Sequence, residues 1–372
     1  MTSLFADDDL KNAPPEPLPP RENSYLLGLE TTEAQLMKAY HSGRMHHAWL
    51  IAGPKGIGKA TLAYRFARYV LTTPENAPGE SLYMLPNHPV FRKVAAGGYP
   101  DLIVVERSVN DKGRMRGEIV VEDVRRIAPF FGKTAAAGGW RVVIVDGVEL
   151  MNQNAANALL KVLEEPPKQT LLLLVSHNPG KLLPTIRSRC LRLDIRPLTA
   201  DDMETLLGFY TPDLELDERL RLVRLGEGRI GRALDLAQFG GLQLYRDLTE
   251  LLSSLPVVDL KALDAFAAKV AKTKSTDEAG SDGFAQFREL FPGWLRHLIL
   301  VASIGADHHF HEMEPDQVRY FRRLSELTTL DRLLQLWDKV GHSLNRTDQV
   351  HLDRKQVVVT LILNLEEALQ RS

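Results

Sequence analysis

The sequence predicts an α/β nucleotide fold with a mostly parallel sheet in its first half, followed by a small helical part and then a larger one. Three observations predict it. Short apolar runs alternate with helical patterns up to residue 196, a glycine-rich turn joins the first of those runs to a helix, and the strand-like runs stop after Pro197.

The elements follow in order. Residues 1–22 mix acidic side chains with Pro14, Pro15, Pro17, Pro19 and Pro20, a composition that buries no core and reads as a flexible tail. Order is expected from Asn23. A helix-like segment covers Thr32 to Ser42, an apolar run covers His47 to Ala52, and a helix follows from Gly58 to Leu71. Further apolar runs at Leu102–Val105, Arg141–Val145, Leu171–Val175 and Leu191–Ile195 read as strands, with helical patterns at Glu122–Phe131 and Asn154–Glu164 between them. Beyond Pro197, Asp201–Phe209, Glu215–Leu225 and Ile230–Ala237 read as three short amphipathic helices. From Leu242 onward the spacing is helical again, in Phe284–Ile304, Leu330–Leu344 and Val357–Leu369, with a polar loop at Lys272–Gly283. The expected division is therefore a tail (1–22), an α/β domain (23–196), a three-helix domain (197–241) and an all-helical domain (242–372), as a chain of 372 residues is too long for one ordinary core.

Composition excludes several classes. The longest purely aliphatic stretch, Leu171–Val175, is far short of the roughly 20 residues a membrane helix needs. The first residues have neither a basic start nor an apolar core, so a cytoplasmic protein is expected. Cys190, the single cysteine, permits neither an intrachain disulfide nor a zinc site of several thiolates. The formal net charge of −2 provides no global attraction to nucleic acid, so any DNA contact must be local or indirect.

Gly53-Pro54-Lys55-Gly56-Ile57-Gly58-Lys59-Ala60-Thr61 lies between a predicted strand and a predicted helix, the context of a phosphate-binding loop. Gly53, Gly56 and Gly58 let backbone N–H groups turn toward a phosphate, the helix start adds positive dipole, and Lys59 offers a charge to the outer phosphates. These residues, with Ala60, Thr61 and Asp146, form the candidate site for ATP or ADP. Two parts are missing. Where a Ser or Thr hydroxyl would ligate Mg²⁺ there is Ala60, and Thr61 is turned about 100° away around the helix. After the acidic residue that closes the strand Val142–Asp146 comes Gly147, where a hydrolytic site needs a Glu to polarise water. Glu149 reads as a solvated or capping carboxylate. Nucleotide binding is expected; efficient hydrolysis is not.

The segment Asn154-Ala155-Ala156-Asn157-Ala158-Leu159-Leu160-Lys161-Val162-Leu163-Glu164-Glu165-Pro166-Pro167, followed by Ser188-Arg189-Cys190, resembles the bacterial clamp-loader branch of the AAA+ ATPases. The resemblance covers His47–Ala60, Asp146–Cys190, Gly228–Ala237 and Asn345–Leu369. With its defective ATP motifs the chain looks like the delta-prime subunits of that branch rather than the tau/gamma motors. The resemblance implies an AAA+ domain, a helical lid and an oligomerising collar. It implies Arg189 as an arginine finger reaching a neighbour's ATP, a fitting role for a fixed, always-charged guanidinium; a surface arginine or a structural ion pair is the bland reading.

Departures from the pattern matter. Leu71–Arg92 contains no cysteine, so the family's four-cysteine zinc module cannot exist there, and His88 reads as an ordinary loop histidine. Gly228-Arg229-Ile230-Gly231-Arg232 displaces the phosphate-sensing arginine by one position, which leaves Arg232 to packing or to a helix face. Asn178 stands where a polar sensor sits. Cys190 reads as a small buried hydrophobe.

The implied function is that of a clamp-loader subunit of the replicative DNA polymerase III assembly: a stator with little hydrolysis of its own, partnered by tau/gamma and delta subunits, the sliding clamp and primed DNA. Arg125, Arg126, Arg187 and Arg196 are candidates for DNA phosphates or simply a solvated basic face. The competing reading is an active ATP-hydrolysing motor of tau/gamma type, built on Lys59 and Asp146.

Overall fold

Five parallel strands, β1 (Ala48–Ala52), β2 (Leu102–Val105), β3 (Arg141–Asp146), β4 (Thr170–Ser176) and β5 (Leu191–Asp194), form one sheet in the order β2-β3-β4-β1-β5 of this computed structural model. The residues described are 17–72, 81–111, 113–136, 139–272, 282–304, 313, 315–349 and 352–370; residues 1–16 of the predicted tail and most of the predicted loop 272–283 lie outside them. β1 and β4 are buried at every residue, which is why they read as unbroken apolar runs rather than alternating ones. β5 is an edge strand, and only Leu193 in it is buried.

Helices cover both faces. On one side, α1 (Glu30–His41) and α2 (Lys59–Val70) lie together, and α2 packs against β1, β3 and β4. α3 (Pro89–Ala95) begins with His88 as its cap: the ring Nδ1 accepts the Val90 N–H at 3.2 Å, and Pro89 occupies the first helical position. On the other side, α4 (Val121–Arg125), α5 (Ile127–Phe131) and α6 (Gln153–Glu164) bury Val124, Ile127, Phe131, Ala155, Leu159 and Leu163 against Leu50, Val143, Val145, Leu172 and Leu174. Asn152 caps α6 by accepting the Ala155 N–H at 3.0 Å, and Pro166 and Pro167 follow its end. α7 (Pro184–Arg187) leads into β5, and α8 (Ala200–Tyr210) is capped by Thr199.

α2 is buried almost throughout, including two arginines. Arg65 makes a forked pair with Glu33, at 2.6 and 3.1 Å, and also binds the Ser24 carbonyl. Among the described residues Arg68 has no carboxylate partner. Its guanidinium donates to the Arg21 and Asn23 carbonyls at 3.1 and 2.8 Å and lies 4.4 Å over the Phe91 ring. Burial, together with Arg65, pushes Arg68 down to about 9.

By contacts the chain divides into two units. The first runs to Pro212 and includes Gly228–Gly231; the second holds Asp213–Glu227 and continues from Arg232. The second unit is helical among its described residues: α9 (Leu216–Gly226), the body of α10 (Ile230–Gln238), α11 (Gly241–Leu252), α12 (Leu260–Ala271), α13 (Gly283–Ile304), α14 (Pro315–Ser325), α15 (Leu330–Gln349) and α16 (Arg354–Gln370). α13 is its centre. Phe284, Phe287, Phe291, Trp294 and Leu298 are buried along it, and Phe287 stacks on Phe291 with centroids 5.2 Å apart. α3, α7, α11, α12 and α14 are helices whose ranges the sequence analysis did not single out.

Candidate nucleotide site and interface arginine

The glycine-rich turn leaves the end of β1 and enters α2. Gly53, Gly56 and Gly58 all have positive φ, at 152°, 84° and 91°, the backbone region that glycine enters without steric cost. A Cβ on Gly53 would stand 2.6 Å from the Ile195 carbonyl oxygen, and one on Gly58 2.8 Å from Leu26. The glycines therefore serve the approach of neighbouring backbone and side chains as well as any phosphate.

The sheet gathers the other charged residues around this turn. Lys59 is 3% exposed and its Nζ donates to the Pro54 carbonyl, so the lysine is folded back on its own loop. Burial lowers it to about 8, opposed by Glu149 and Asp146. Asp146, opposite Val175 in the next strand, has its carboxyl raised above the usual range, first by burial and then by Glu106, with Lys59 opposing. Ala60 and the buried Thr61 follow Lys59 in the first turn of α2. The neutral form of the His177 ring is favoured by burial and by Lys59 and Lys55 nearby. Asn178 is exposed and opens the 3₁₀ turn Pro179–Lys181.

Glu149 differs from a solvated carboxylate. Its Oε1 accepts the His177 N–H at 2.8 Å, capping the end of β4, while Oε2 is buried with no hydrogen-bond partner. The link spans 28 residues of sequence, so no local pattern announces it. Gly147, where a hydrolytic site needs Glu, has φ of 76°, and a Cβ there would touch Leu150 at 3.0 Å.

A second segment reaches the loop. Gly231 N–H donates to the Gly56 carbonyl at 2.8 Å, and a Cβ on Gly231 would stand 3.0 Å from Gly56 Cα. Arg232, one residue on, turns to packing. It is 8% exposed, pairs with Glu227 at 3.0 Å and donates to the Glu289 carbonyl at 3.0 Å.

Arg189 lies elsewhere. Leu191, at the start of β5, pairs with Trp49 at the start of β1, whereas the phosphate loop follows the far ends, where Asp194 pairs with Ala52. The three steps from Leu191 to Asp194, about 10 Å, thus separate the two along the sheet. The Arg189 guanidinium donates to Glu164 at 2.8 Å and to the Thr185 carbonyl at 3.1 Å, and its side chain is 36% exposed. Cys190 packs against the sheet core, and burial pushes its thiol up to about 12, as expected of a small apolar filler.

The loop fits a phosphate through its backbone N–H groups and helix start. The donor set fits magnesium poorly: Asp146 remains, without a hydroxyl at position 60.

A family described as DNA polymerase III, delta subunit, matches residues 28–199. The chain is similar to the delta-prime subunit of DNA polymerase III of Pseudomonas aeruginosa, 44% identical over 146 residues, covering 39% of this chain and 42% of that protein. It is also similar to the Escherichia coli delta-prime subunit, 32% identical over 230 residues, covering 62% and 66%, and to the Escherichia coli tau subunit, 29% identical over 221 residues, covering 58% and 32%. The chain thus spans less than two thirds of the length of each of these relatives.

Proposed function

We propose that the chain belongs to the family described as DNA polymerase III, delta subunit, whose pattern matches residues 28–199, and that it is a clamp-loader subunit of the replicative polymerase assembly. It acts as a stator with little or no ATP hydrolysis of its own, and Arg189 is its finger into the ATP of a neighbouring subunit. In this reading residues 23–196 are the AAA+ domain, 197–241 the lid and 242–372 the collar. Its partners are tau/gamma and delta subunits, the sliding clamp and primed DNA.

The observation that carries the reading is the pairing of a well-formed phosphate loop with two chemical gaps, Ala60 and Gly147. Gly53, Gly56, Gly58, Lys59 and Thr61 would hold the phosphates of ATP or ADP, and Asp146 would face any metal. Nucleotide bound there supplies a phosphoanhydride. This chain supplies positioning without a water-polarising carboxylate at 147. Arg189, at the other end of the sheet from its own loop, suits a role in another subunit's site. The helical part supports assembly: α15 leaves Leu330, Leu334 and Trp337 37%, 45% and 38% exposed, one helical turn apart.

A motor subunit is the competing reading, favoured by the buried, unpartnered Oε2 of Glu149 near Lys59. DNA- and clamp-stimulated ATP hydrolysis by the reconstituted loader separates the two. Arg189→Ala should abolish most of it while this chain alone stays silent; unchanged turnover, or robust activity of the chain alone, would favour the motor.

A further inference from the structure

Between β2 and α4 the chain doubles back. Asn110 N–H donates to the Arg114 carbonyl at 2.8 Å and Arg116 N–H to the Ser108 carbonyl at 2.9 Å, so Val109 and Met115 pair as antiparallel neighbours. These bonds flank the pair rather than join it. Such a pair brings its two side chains close together on one face of the hairpin. Nothing in the described chain covers them: Val109 is 55% exposed and Met115 59%.

The aliphatic pair sits in a basic setting. Arg107 and Arg114 are exposed, and Arg116 is half-buried with its Nε lacking a hydrogen-bond partner. Over residues 106–118 the sequence carries Arg107, Lys112, Arg114 and Arg116 against Asp111 near the turn and Glu106 and Glu118 at the roots, +1 in a chain of formal net charge −2. The hairpin is also anchored. Ser108 Oγ donates to Asp123 Oδ2 at 3.2 Å, the same oxygen that takes the Val120 N–H at 3.1 Å at the start of α4. At the other root, Glu118 accepts the Asn152 side chain at 3.0 Å, beside the start of α6. Further along α4, Arg125 borders an open groove of about 590 Å³ with Lys161 on its rim.

We propose that this hairpin is a duplex-DNA contact: Arg107, Arg114 and Arg116 neutralise backbone phosphates while Val109 and Met115 pack against the groove wall. Guanidinium forks match phosphate oxygens, and small aliphatic wedges flanked by basic residues recur where proteins enter a DNA groove. The choice of DNA as partner rests on the clamp-loader reading; the surface itself rests on the exposed pair, the charge and the anchors. An acidic protein face and a merely solvated charge run are the other outcomes of the test.

The experiment measures primed-DNA affinity by fluorescence anisotropy across 50–200 mM salt, on the reconstituted loader and on the full chain alone. Each phosphate contact contributes about 0.9 to the slope of log K against log salt, so Arg107→Ala/Arg114→Ala/Arg116→Ala should lower the slope by roughly 2–3. The corresponding triple Lys variant should retain most of it, and Val109→Ser/Met115→Ser should weaken binding without changing the slope. A photoreactive phenylalanine replacing Val109 should capture DNA. An unchanged slope and affinity, or capture of protein subunits alone, overturns the hairpin contact, as does a chain that binds DNA in neither setting. Co-purification with tau/gamma and delta, and stimulated hydrolysis, report on the clamp-loader reading separately: loss of assembly sinks that reading, while anisotropy on the chain alone still judges the hairpin.

Discussion

Arg189 and Gly53 sit at opposite ends of one strand pair: Leu191 opposite Trp49 follows the arginine, and Asp194 opposite Ala52 precedes the turn into the phosphate loop. In the proposed assembly Arg189 and the loop of one chain would therefore face different neighbours. Arg189 pairs with Glu164 in a half-exposed ion pair, and such pairs contribute about 0–1 kcal/mol. Arg189→Ala and Glu164→Ala should each shift the unfolding free energy by less than about 1 kcal/mol in urea melts. Glu164→Ala, unlike Arg189→Ala, should leave stimulated hydrolysis by the loader intact or raise it.

Restoring the missing base by substitution should fail. Gly147 occupies the left-handed region at φ 76°, where a side chain costs about 1–2 kcal/mol, and its Cβ would press on Leu150. Gly147→Glu is expected to lower the melting temperature by several degrees and to leave the chain without measurable ATPase.

The entry segment depends on a buried arginine whose described partners are backbone carbonyls and an aromatic ring. Arg68 satisfies the Arg21 and Asn23 carbonyls and stacks on Phe91, so Arg68→Ala removes both a hydrogen-bonded charge and packing volume. The expected loss is about 2–4 kcal/mol. Limited proteolysis should open the chain near residues 21–25 before any other described segment.

An acid limb should come from His297. Burial first, then Arg296 and Arg232, lower it to about 4, with Glu227 opposing. Its folded value lies below the unfolded one near 6.5, so the unfolded state binds the proton first. Stability is full above about 6.5 and falls as pH drops toward 4, by roughly 2–3 kcal/mol for this one group. Chemical denaturation at pH 7 and pH 4.5 should show that difference shrink in His297→Gln.

Assembly should depend on the stripe on α15. Leu334→Ser/Trp337→Ser removes side chains that are about half-buried in the monomer and should lower its stability by about 2–4 kcal/mol, which urea melts of the chain alone would measure beside assembly. Sedimentation should show the variant chain leaving the reconstituted assembly. A variant that assembles normally places the interface on another face.

The strands were readable because both sheet faces are covered: Ala48–Ala52, Val142–Val145 and Leu171–Val175 carry apolar residues without alternation. The phosphate loop and its gaps at Ala60 and Gly147 were readable because each is a residue type at a fixed offset. Helix α3 was missed, since Pro89 suggests a break unless it is seen as the first helical residue behind a capping histidine. The hairpin at Val109 and Met115 was missed because one bridge carries too little pattern.

Residue identity at local spacing determined the fold class, the phosphate loop and its chemical gaps. The tertiary structure decided the partners. Lys59 turned to Pro54, Glu149 reached the His177 amide, Arg68 reached Arg21 and Asn23, and Arg232 reached Glu227. A buried polar group must find a partner or bear its desolvation cost, and which partner lies within 3 Å is set by how distant segments pack.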